Sequence, residues 1–168
     1  MPVRTILLYP NPILKTVCCP VEAIDGEISA LIEDLVDTMA AGPGSVGVAA
    51  PQIGVSLRVC VVDVSQNRLG RENHHGLLAL VNPEIVLREG AATMREGCMS
   101  VPDYTGDVER ATSITVRYLD GSGEPRELEA SGFEAVAIQH EMDHLDGLLF
   151  LDRISSLKTG LFRRKKYK

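Results

Sequence analysis

The chain has 168 residues, of which 45% are hydrophobic and 24% are charged. This composition is that of an ordinary globular protein and excludes a mainly disordered chain, a collagen and a disulfide-dense scaffold. A chain of this length can also bury about 70% of the surface that its unfolded form exposes, so it needs neither disulfides nor a structural metal to fold. The net charge is −6, although five of the 17 Lys and Arg residues lie in the last eight positions. We therefore predict one acidic domain over residues 1–160, without direct nucleic-acid binding, and a basic C-terminal tail over residues 161–168.

No segment of the sequence is typical of a signal peptide or a membrane span. The apolar stretch at residues 6–9 is short and ends at Pro10, and no window approaches the roughly 20 apolar residues that cross a bilayer. The four cysteines include the adjacent Cys18 and Cys19 but no CxxC pair. We expect a reduced, cytoplasmic protein that does not associate with membranes.

The apolar pattern predicts an α+β fold. Residues 25–41 have apolar side chains at helical spacing, with Asp25 as the N-cap. A second helix is predicted over residues 132–146, opened by a capping box of Ser131 and Glu134 and closed by Gly147. Between the helices, β-branched and alternating segments predict strands at residues 57–64, 77–81, 85–88, 113–119 and 126–130. This order of elements, with the strands followed by a late helix, favours an antiparallel sheet curled around the second helix.

The second predicted helix carries the motif HEMDH at residues 140–144. Side chains four positions apart lie on one face of a helix, so the imidazoles of His140 and His144 can reach the same cation. Glu141 is rotated by about 100° from His140 and can address a water beside the cation without being a ligand. The pattern therefore predicts a metal centre, with two helix-surface histidines as the alternative.

A catalytic metal site needs a third protein ligand, which the sequence after His144 does not supply. The extended pattern HExxHxxGxxH would place a histidine where the chain has Phe150. The upstream candidates are His74, His75, Cys18, Cys19, Cys60 and Cys98. Cys98 is preferred, because Gly97 lets the backbone approach an ion, whereas the others lie in a polar loop, in a buried strand or near the N-terminus.

A run of small and apolar residues, VGVAAPQIG, occupies positions 46–54. Its small residues allow a ligand to approach the backbone, and Gln52 offers an amide donor in an apolar setting. The alternative is a buried turn in which the side chain of Gln52 is hydrogen-bonded to the backbone. The residues alone leave both interpretations open.

Three segments taken together resemble the motifs of the peptide deformylase family, which removes the formyl group from the N-terminus of new bacterial and organellar proteins. They are SVGVAAPQ at 45–52, EGCMS at 96–100 and QHEMDH at 139–144. The resemblance implies that the metal ligands are Cys98, His140 and His144. It further implies that Glu141 is the general acid/base, and that Gln52 and the backbone N–H of Met99 form the oxyanion hole.

The resemblance also implies a single catalytic domain that hydrolyses N-formylmethionyl nascent peptides. The native metal would be Fe²⁺, with Zn²⁺, Ni²⁺ or Co²⁺ as substitutes. The substrate pocket would be lined by Val46, Gly47, Val136 and Ala137, whose alternative role is plain core packing. This chain departs from the family pattern at Ser45, Met99 and Thr105, and Glu96 and Arg110 are expected to pair.

Two other functions are weighed against this one. An HExxH metallopeptidase would use the same helix on internal peptide bonds, and a non-catalytic metal-binding module would need neither Glu141 nor Gln52. The basic tail is either a solubilising end or, as the resemblance implies for some bacterial members, a contact with the ribosome.

Overall fold

A computed structural model describes residues 3–164 of the chain. The helices are α1 (Gly26–Ala41), α2 (Gly132–Leu145) and α3 (Leu157–Gly160), and short 3-10 helices cover Pro12–Lys15, Ala50–Ile53 and Phe150–Arg153. The strands are β1 (Gly47–Ala49), β2 (Val59–Val62), β3 (Leu78–Glu89), β4 (Ala92–Cys98), β5 (Val101–Arg110), β6 (Ser113–Leu119), β7 (Pro125–Ser131) and β8 (Leu161–Arg163). No helix in residues 3–164 is long and apolar enough to cross a membrane.

The strands form two antiparallel sheets, with helix α2 packed against both. The five-stranded sheet has the order β1-β2-β3-β6-β7, and the three-stranded sheet has the order β4-β5-β8. Most of α2 is buried, and it contacts β1, β2, β6 and β7 directly while its polar side chains reach β4 and β5. The predicted α+β class with antiparallel sheets around a central helix is confirmed.

Helix α1 forms where the periodicity predicts it. The side chain of Asp25 accepts a hydrogen bond from the backbone N–H of Ile28 at 3.1 Å, which satisfies one of the free donors of the first turn. The buried apolar face, which includes Leu31 and Leu35, packs in a core cluster with residues of β1 and β2. The helix thereby supports the strand that carries Gly47 into the cleft described below.

The start of α2 differs from the prediction. Ser131 is the N-cap residue, but its side chain makes no capping bond, and its hydroxyl instead accepts from Nδ2 of Asn73 at 2.9 Å. The carboxylate of Glu134 accepts from the backbone N–H of His75 at 2.7 Å and lies 2.6 Å from that residue's Nδ1. The predicted capping box is therefore wrong, because the loop before β3 competes for both side chains. The C-terminal prediction is confirmed, since Gly147 is left-handed with φ 76°.

The strand predictions fail mainly in β3 and in the small sheet. Residues 77–81 and 85–88 were expected as separate strands, but β3 continues through Asn82 and Pro83, which together face the single residue Tyr118 of β6. This bulge accommodates a proline without a donor, and Asn82 (φ 51°) uses its side chain to bond both N–H and C=O of Val21 at 2.8 Å. Strands β4, β5 and β8 have no counterpart in the predicted elements.

The C-terminal segment is partly built into the fold. Leu161–Arg163 forms the edge strand β8, which pairs with β5. The division between a domain at 1–160 and a tail at 161–168 stays a prediction, but the first residues of that tail belong to the small sheet. Residues 165–168 lie outside the described residues.

Candidate active site

A cleft of about 260 Å³ opens between the two sheets along one face of α2. Three parts of the chain meet there: the β1 strand with the following 3-10 helix, the end of β4, and the middle of α2. The predicted site residues that line it are Val46, Gly47, Gln52, Cys98, Met99, Val136, Ala137, His140 and Glu141. Residues that are far apart in sequence thus converge on one cavity.

Cys98, His140 and His144 form a buried cluster at the base of this cleft. One ligand atom from each lies within 4.8 Å of the others, and Sγ of Cys98 is 3.4 Å from Nε2 of His144. Strand β4 ends at Cys98, and α2 presents both histidines from successive turns. Within residues 3–164 this is the one group of three His, Cys, Asp or Glu side chains arranged to hold a metal ion.

The other ligand candidates lie elsewhere. Cys60 is fully buried in β2, and Cys18 and Cys19 precede α1. His75 pairs with Glu134 at the start of α2. The position where an extended zincin pattern would have a histidine is filled by Phe150, whose ring stacks on that of His140 with a centroid distance of 6.4 Å. Phe150 therefore packs against the predicted metal cluster and supplies no ligand to it.

A buried ion-pair network orients His140. Nδ1 of His140 hydrogen-bonds to Oε1 of Glu96 at 2.9 Å, which turns Nε2 towards the cluster. Arg110 clamps Glu96 through Nε at 2.5 Å and Nη2 at 2.9 Å, and also binds Asp143 at 2.9 Å. Burial opposes the charge on Glu96, but hydrogen bonds from His140 and Arg110 hold its pKa below the usual value. The expected pairing of Glu96 with Arg110 is confirmed.

The chemistry of the cluster fits a divalent transition metal. Burial alone would raise the pKa of the Cys98 thiol, but the imidazoles of His144 and His140 hold it well below the usual value. A thiolate and two imidazoles are ligands suited to such ions, and a carboxylate behind one imidazole is a recurrent second layer of metal sites. Three protein ligands leave a coordination position for water or substrate.

Glu141 is placed beside the cluster rather than in it. Its Oε2 lies 4.0 Å from Nε2 of His140, and its Oε1 is buried without a hydrogen-bond partner among the described residues. Burial raises the pKa of this carboxyl to about 7. Gly47 makes room for it, because a Cβ atom at that position would lie 2.7 Å from Oε2 of Glu141. A carboxylate of this kind is suited to accept and return a proton.

The side chain of Gln52 is hydrogen-bonded to the backbone at one end and directs its amide donor into the site at the other. Its Oε1 accepts from the backbone N–H of Ala49 at 3.0 Å, which fixes the amide in the turn. Its Nε2 donates to Oγ of Ser100 at 3.1 Å and to Sγ of Cys98 at 3.4 Å. The donor end therefore points at the cluster, next to Met99 in the lining of the cleft.

The apolar wall of the cleft comes from one face of α2 and from β1. Val136, Ala137 and Phe133 line it on one side, and Val46 lines it on another. Ala137 also packs in the main core, so it lines the cleft and contributes to core packing at the same time. Phe133 was missed from sequence, although it lies seven positions before His140 on the same face of the helix.

A buried carboxylate beside a Cys-His-His cluster, at the base of a partly apolar cleft, defines a metal-dependent hydrolase. Comparison with known proteins makes this more specific. A model of the polypeptide deformylase family matches residues 3–160. A peptide deformylase of Alkalilimnicola ehrlichii is 48% identical over 98% of this chain and 89% of its own length.

Solved structures agree with the sequence comparison. A peptide deformylase from Legionella pneumophila superposes with a TM-score of 0.83 at 43% identity, over 94% of this chain and 89% of its own. A class I type b peptide deformylase from Acinetobacter baumannii, bound to Met-Ala-Ser, superposes with a TM-score of 0.83 at 36% identity, over 91% of this chain and 99% of its own. The chain belongs to the polypeptide deformylase family and is an enzyme of that family.

Proposed function

We propose that this chain removes the formyl group from N-formylmethionyl nascent polypeptides and releases formate and a free N-terminal amine. The observation that carries the proposal is the position of Glu141. Its carboxylate is buried in the cleft, 4.0 Å from Nε2 of His140 in the predicted metal cluster. The relative that is bound to Met-Ala-Ser supports a substrate that begins with methionine.

The proposed metal ligands are Cys98, His140 and His144, with Fe²⁺ as the native ion and Zn²⁺, Ni²⁺ or Co²⁺ as substitutes. When bound, such an ion polarises a carbonyl oxygen and lowers the pKa of water. The side chain of Cys98 would bind such an ion as a thiolate, and both histidines would bind it as neutral imidazoles. The carboxylate of Glu96 fixes which nitrogen of His140 faces the cluster.

The remaining residues of the cleft handle the proton and the negative charge of the reaction. Glu141 accepts the proton of the attacking water and returns it to the leaving amine nitrogen. Nε2 of Gln52 and the backbone N–H of Met99 donate to the oxyanion of the tetrahedral intermediate. The hydrogen bond that Gln52 Oε1 accepts from the N–H of Ala49 holds the donor end of the amide in place before the substrate arrives.

The cleft wall selects the substrate by size and polarity. Val46, Val136 and Ala137 form an apolar surface for the methionine side chain, and the backbone of Gly47 packs closely against Glu141, with no space for a side chain between them. A formyl carbon carries only hydrogen, so it reaches this space where an acetyl group would collide with the wall. The same restriction disfavours internal peptide bonds.

Formate release from matched peptides tests this function. Protein loaded with Fe²⁺ without oxygen should release formate from formyl-Met-Ala-Ser, leave acetyl-Met-Ala-Ser intact and cut no bond in Met-Ala-Ser. Cleavage of the unformylated peptide would favour an HExxH metallopeptidase. Tight metal binding without hydrolysis of any peptide would favour a non-catalytic metal-binding module.

We also propose a cytoplasmic location and a ribosomal contact through the basic C-terminal residues. All four cysteines are free thiols, which suits a reducing compartment.

The ribosomal contact is best tested by substitutions. Because Leu161–Arg163 pairs with β5, deleting residues 161–168 would disrupt the small sheet as well as remove the basic charge. Replacing Lys165, Lys166 and Lys168 by Glu keeps that strand. These replacements should weaken salt-sensitive co-sedimentation with ribosomes, and unchanged co-sedimentation would refute the contact.

A further inference from the structure

The chain segment before the first 3-10 helix connects two parts of the site through its backbone. We call residues 4–9 the N-terminal strap. The backbone N–H of Leu7 donates to the carbonyl of Gln52 at 2.7 Å, and the N–H of Tyr9 donates to the carbonyl of Ser100 at 2.8 Å. Leu8, which lies between them, is 52% exposed, and its N–H has no acceptor among the described residues. The strap therefore binds the two carbonyls with alternate residues.

The two bonded carbonyls belong to the parts of the chain that carry the proposed oxyanion donors. Gln52 presents its Nε2 from the 3-10 helix that follows β1, and Met99 presents its backbone N–H from the turn that it forms with Ser100 after β4. Within the described residues, no backbone hydrogen bond joins this helix directly to that turn. Their direct link is the side chain of Gln52, which donates to Ser100 and Cys98. At the level of the backbone, the strap connects them.

The strap is itself attached to α1 by Arg4. Nη1 of Arg4 pairs with Oδ2 of Asp34 at 3.0 Å, and the backbone N–H of Arg4 donates to Oγ1 of Thr38 at 2.9 Å. Nη2 of Arg4 donates to the carbonyl of Ile53 at 3.4 Å, at the end of the same 3-10 helix. Asp34 and Thr38 are only 8% and 3% exposed, so these bonds satisfy buried polar groups. This anchor gives the strap a fixed point outside the cleft.

We propose that the N-terminal strap is a positioning element of the reaction, which holds Gln52 and Met99 at the separation that the oxyanion requires. The inference rests on the proposed function, in which these two donors bind that oxyanion. Preorganised donors stabilise an oxyanion when they lie about 2.7–3.1 Å from the place that it will occupy, and a misplacement of about 1 Å costs about 10²-fold in rate. The bond to Ala49 fixes the amide of Gln52 only within its own turn. The distance from Gln52 to Met99 depends on contacts between the two elements, and the strap supplies a bond to each of them.

Single backbone esters test the strap without changing a side chain. The α-hydroxy analogue of leucine in place of Leu7 replaces the bonded N–H by an oxygen and removes the donor to Gln52. The same analogue in place of Leu8 is the matched control, because that N–H has no acceptor among the described residues. In the iron-loaded enzyme we expect the Leu7 ester to lower kcat for formyl-Met-Ala-Ser about tenfold, which is less than the roughly 10²–10³-fold cost of losing an oxyanion donor itself. The Leu8 ester should keep the wild-type kcat.

KM, product affinity and metal content separate positioning from general support of the fold. KM for formyl-Met-Ala-Ser, the calorimetric affinity for the product Met-Ala-Ser and the iron bound per chain should all equal wild type in the Leu7 ester, because they report ground-state binding. If the Leu7 ester does not fold, the corresponding ester at Tyr9 removes the bond to Ser100 and should give the same pattern. An ester that changes KM or bound iron but not kcat would overturn the inference.

The Gln52→Ala background tests whether the strap acts through the oxyanion hole. This variant keeps the carbonyl that accepts from Leu7 but lacks the amide donor. The Leu7 ester should lower kcat by a smaller factor in Gln52→Ala than in wild type, because the two changes affect the same interaction. An equal factor in both backgrounds would make the strap a support of the fold alone and overturn the inference. Wild-type formate release that no ester changes would refute only the role of the strap, whereas no release from the wild-type enzyme would refute the proposed function.

Discussion

The base of the cleft and the β6–β7 hairpin use the same type of interaction in opposite surroundings. Arg110 and Glu96 are paired at 2.5 Å with side chains only 4% and 6% exposed. On the hairpin, Arg117 and Glu127 are paired at 2.8 Å with side chains 64% and 54% exposed. The distances are alike, yet the surroundings give the two pairs different roles.

Burial makes the cleft network indispensable without making it strongly stabilising. A buried charge must be paired, because removing its partner leaves an uncompensated charge in the interior and lowers the free energy of unfolding strongly. An exposed pair contributes little to that free energy. Arg110 holds Glu96, and Glu96 in turn holds His140. The buried network therefore contributes the orientation of a metal ligand, and the exposed pairs contribute surface charge.

The largest contrast is expected between two identical substitutions, Glu141→Gln and Glu127→Gln. Loss of the proton-transfer group at the cleft should lower kcat about 10²–10⁴-fold, because general acid–base catalysis contributes that much. Metal content should stay at the wild-type level, and Glu127→Gln should leave turnover unchanged. A Glu141→Gln enzyme that works at nearly the wild-type rate would remove this residue from the mechanism.

Arg110→Ala and Arg117→Ala compare the two arginines directly. Arg110→Ala leaves the buried carboxylates of Glu96 and Asp143 without their shared partner and should lower the free energy of unfolding by about 3–5 kcal/mol. Arg117→Ala should leave the urea midpoint of the metal-free protein unchanged. If Arg110→Ala does not fold, Arg110→Lys keeps the charge without the forked geometry and should still be less stable than wild type. Equal midpoints for all variants would contradict the role given to burial.

Glu96→Gln addresses the orientation of His140. The amide keeps the shape of the side chain but loses the charge, so metal affinity should fall about 10–100-fold, as for other carboxylate partners of ligating histidines. Competition with a metallochromic chelator measures this change, with Glu127→Gln as the surface control. Affinity equal to wild type would mean that His140 needs no carboxylate behind it.

The smallest expected effect lies at the hairpin turn. The side-chain bond from Arg126, followed by backbone N–H groups of the turn, lowers the pKa of Asp120 from 3.8 to about 2. A depressed carboxyl pKa adds stability that is present above the unfolded value and is lost as the pH falls through the folded value. An NMR titration should therefore place Asp120 near 2 and show an upward shift in Arg126→Ala, with no effect on turnover at neutral pH. If the titration midpoint of Asp120 were the same in Arg126→Ala as in wild type, the hydrogen bond from Arg126 would not be the cause of the low pKa.

Sequence patterns predicted the parts of the site that depend on local geometry. His140, Glu141 and His144 are spaced by the helical repeat, so their shared face follows from the chain itself. Cys98 could be preferred because a thiolate is a strong ligand and Gly97 precedes it. The structure places these residues together, although their individual roles stay proposals.

Long-range contacts and irregular strands could not be predicted in the same way. Strands β4 and β5 contain charged residues, Gly97 and Pro102, and lack the alternation that marks a half-buried strand. The bond between Glu96 and His140 joins residues 44 positions apart, and β8 is only three residues long. Such contacts therefore emerge only when the two sheets are assembled.

The central claim is that a metal ion held by Cys98, His140 and His144 enables this chain to release formate from formylmethionyl peptides. The most direct test titrates metal-free protein with Fe²⁺ under anaerobic conditions and measures formate release from formyl-Met-Ala-Ser at each step. We predict that the rate rises in proportion to bound iron and stops rising at one ion per chain. Formate release that does not depend on the metal, or no release from the fully loaded protein, would contradict the account.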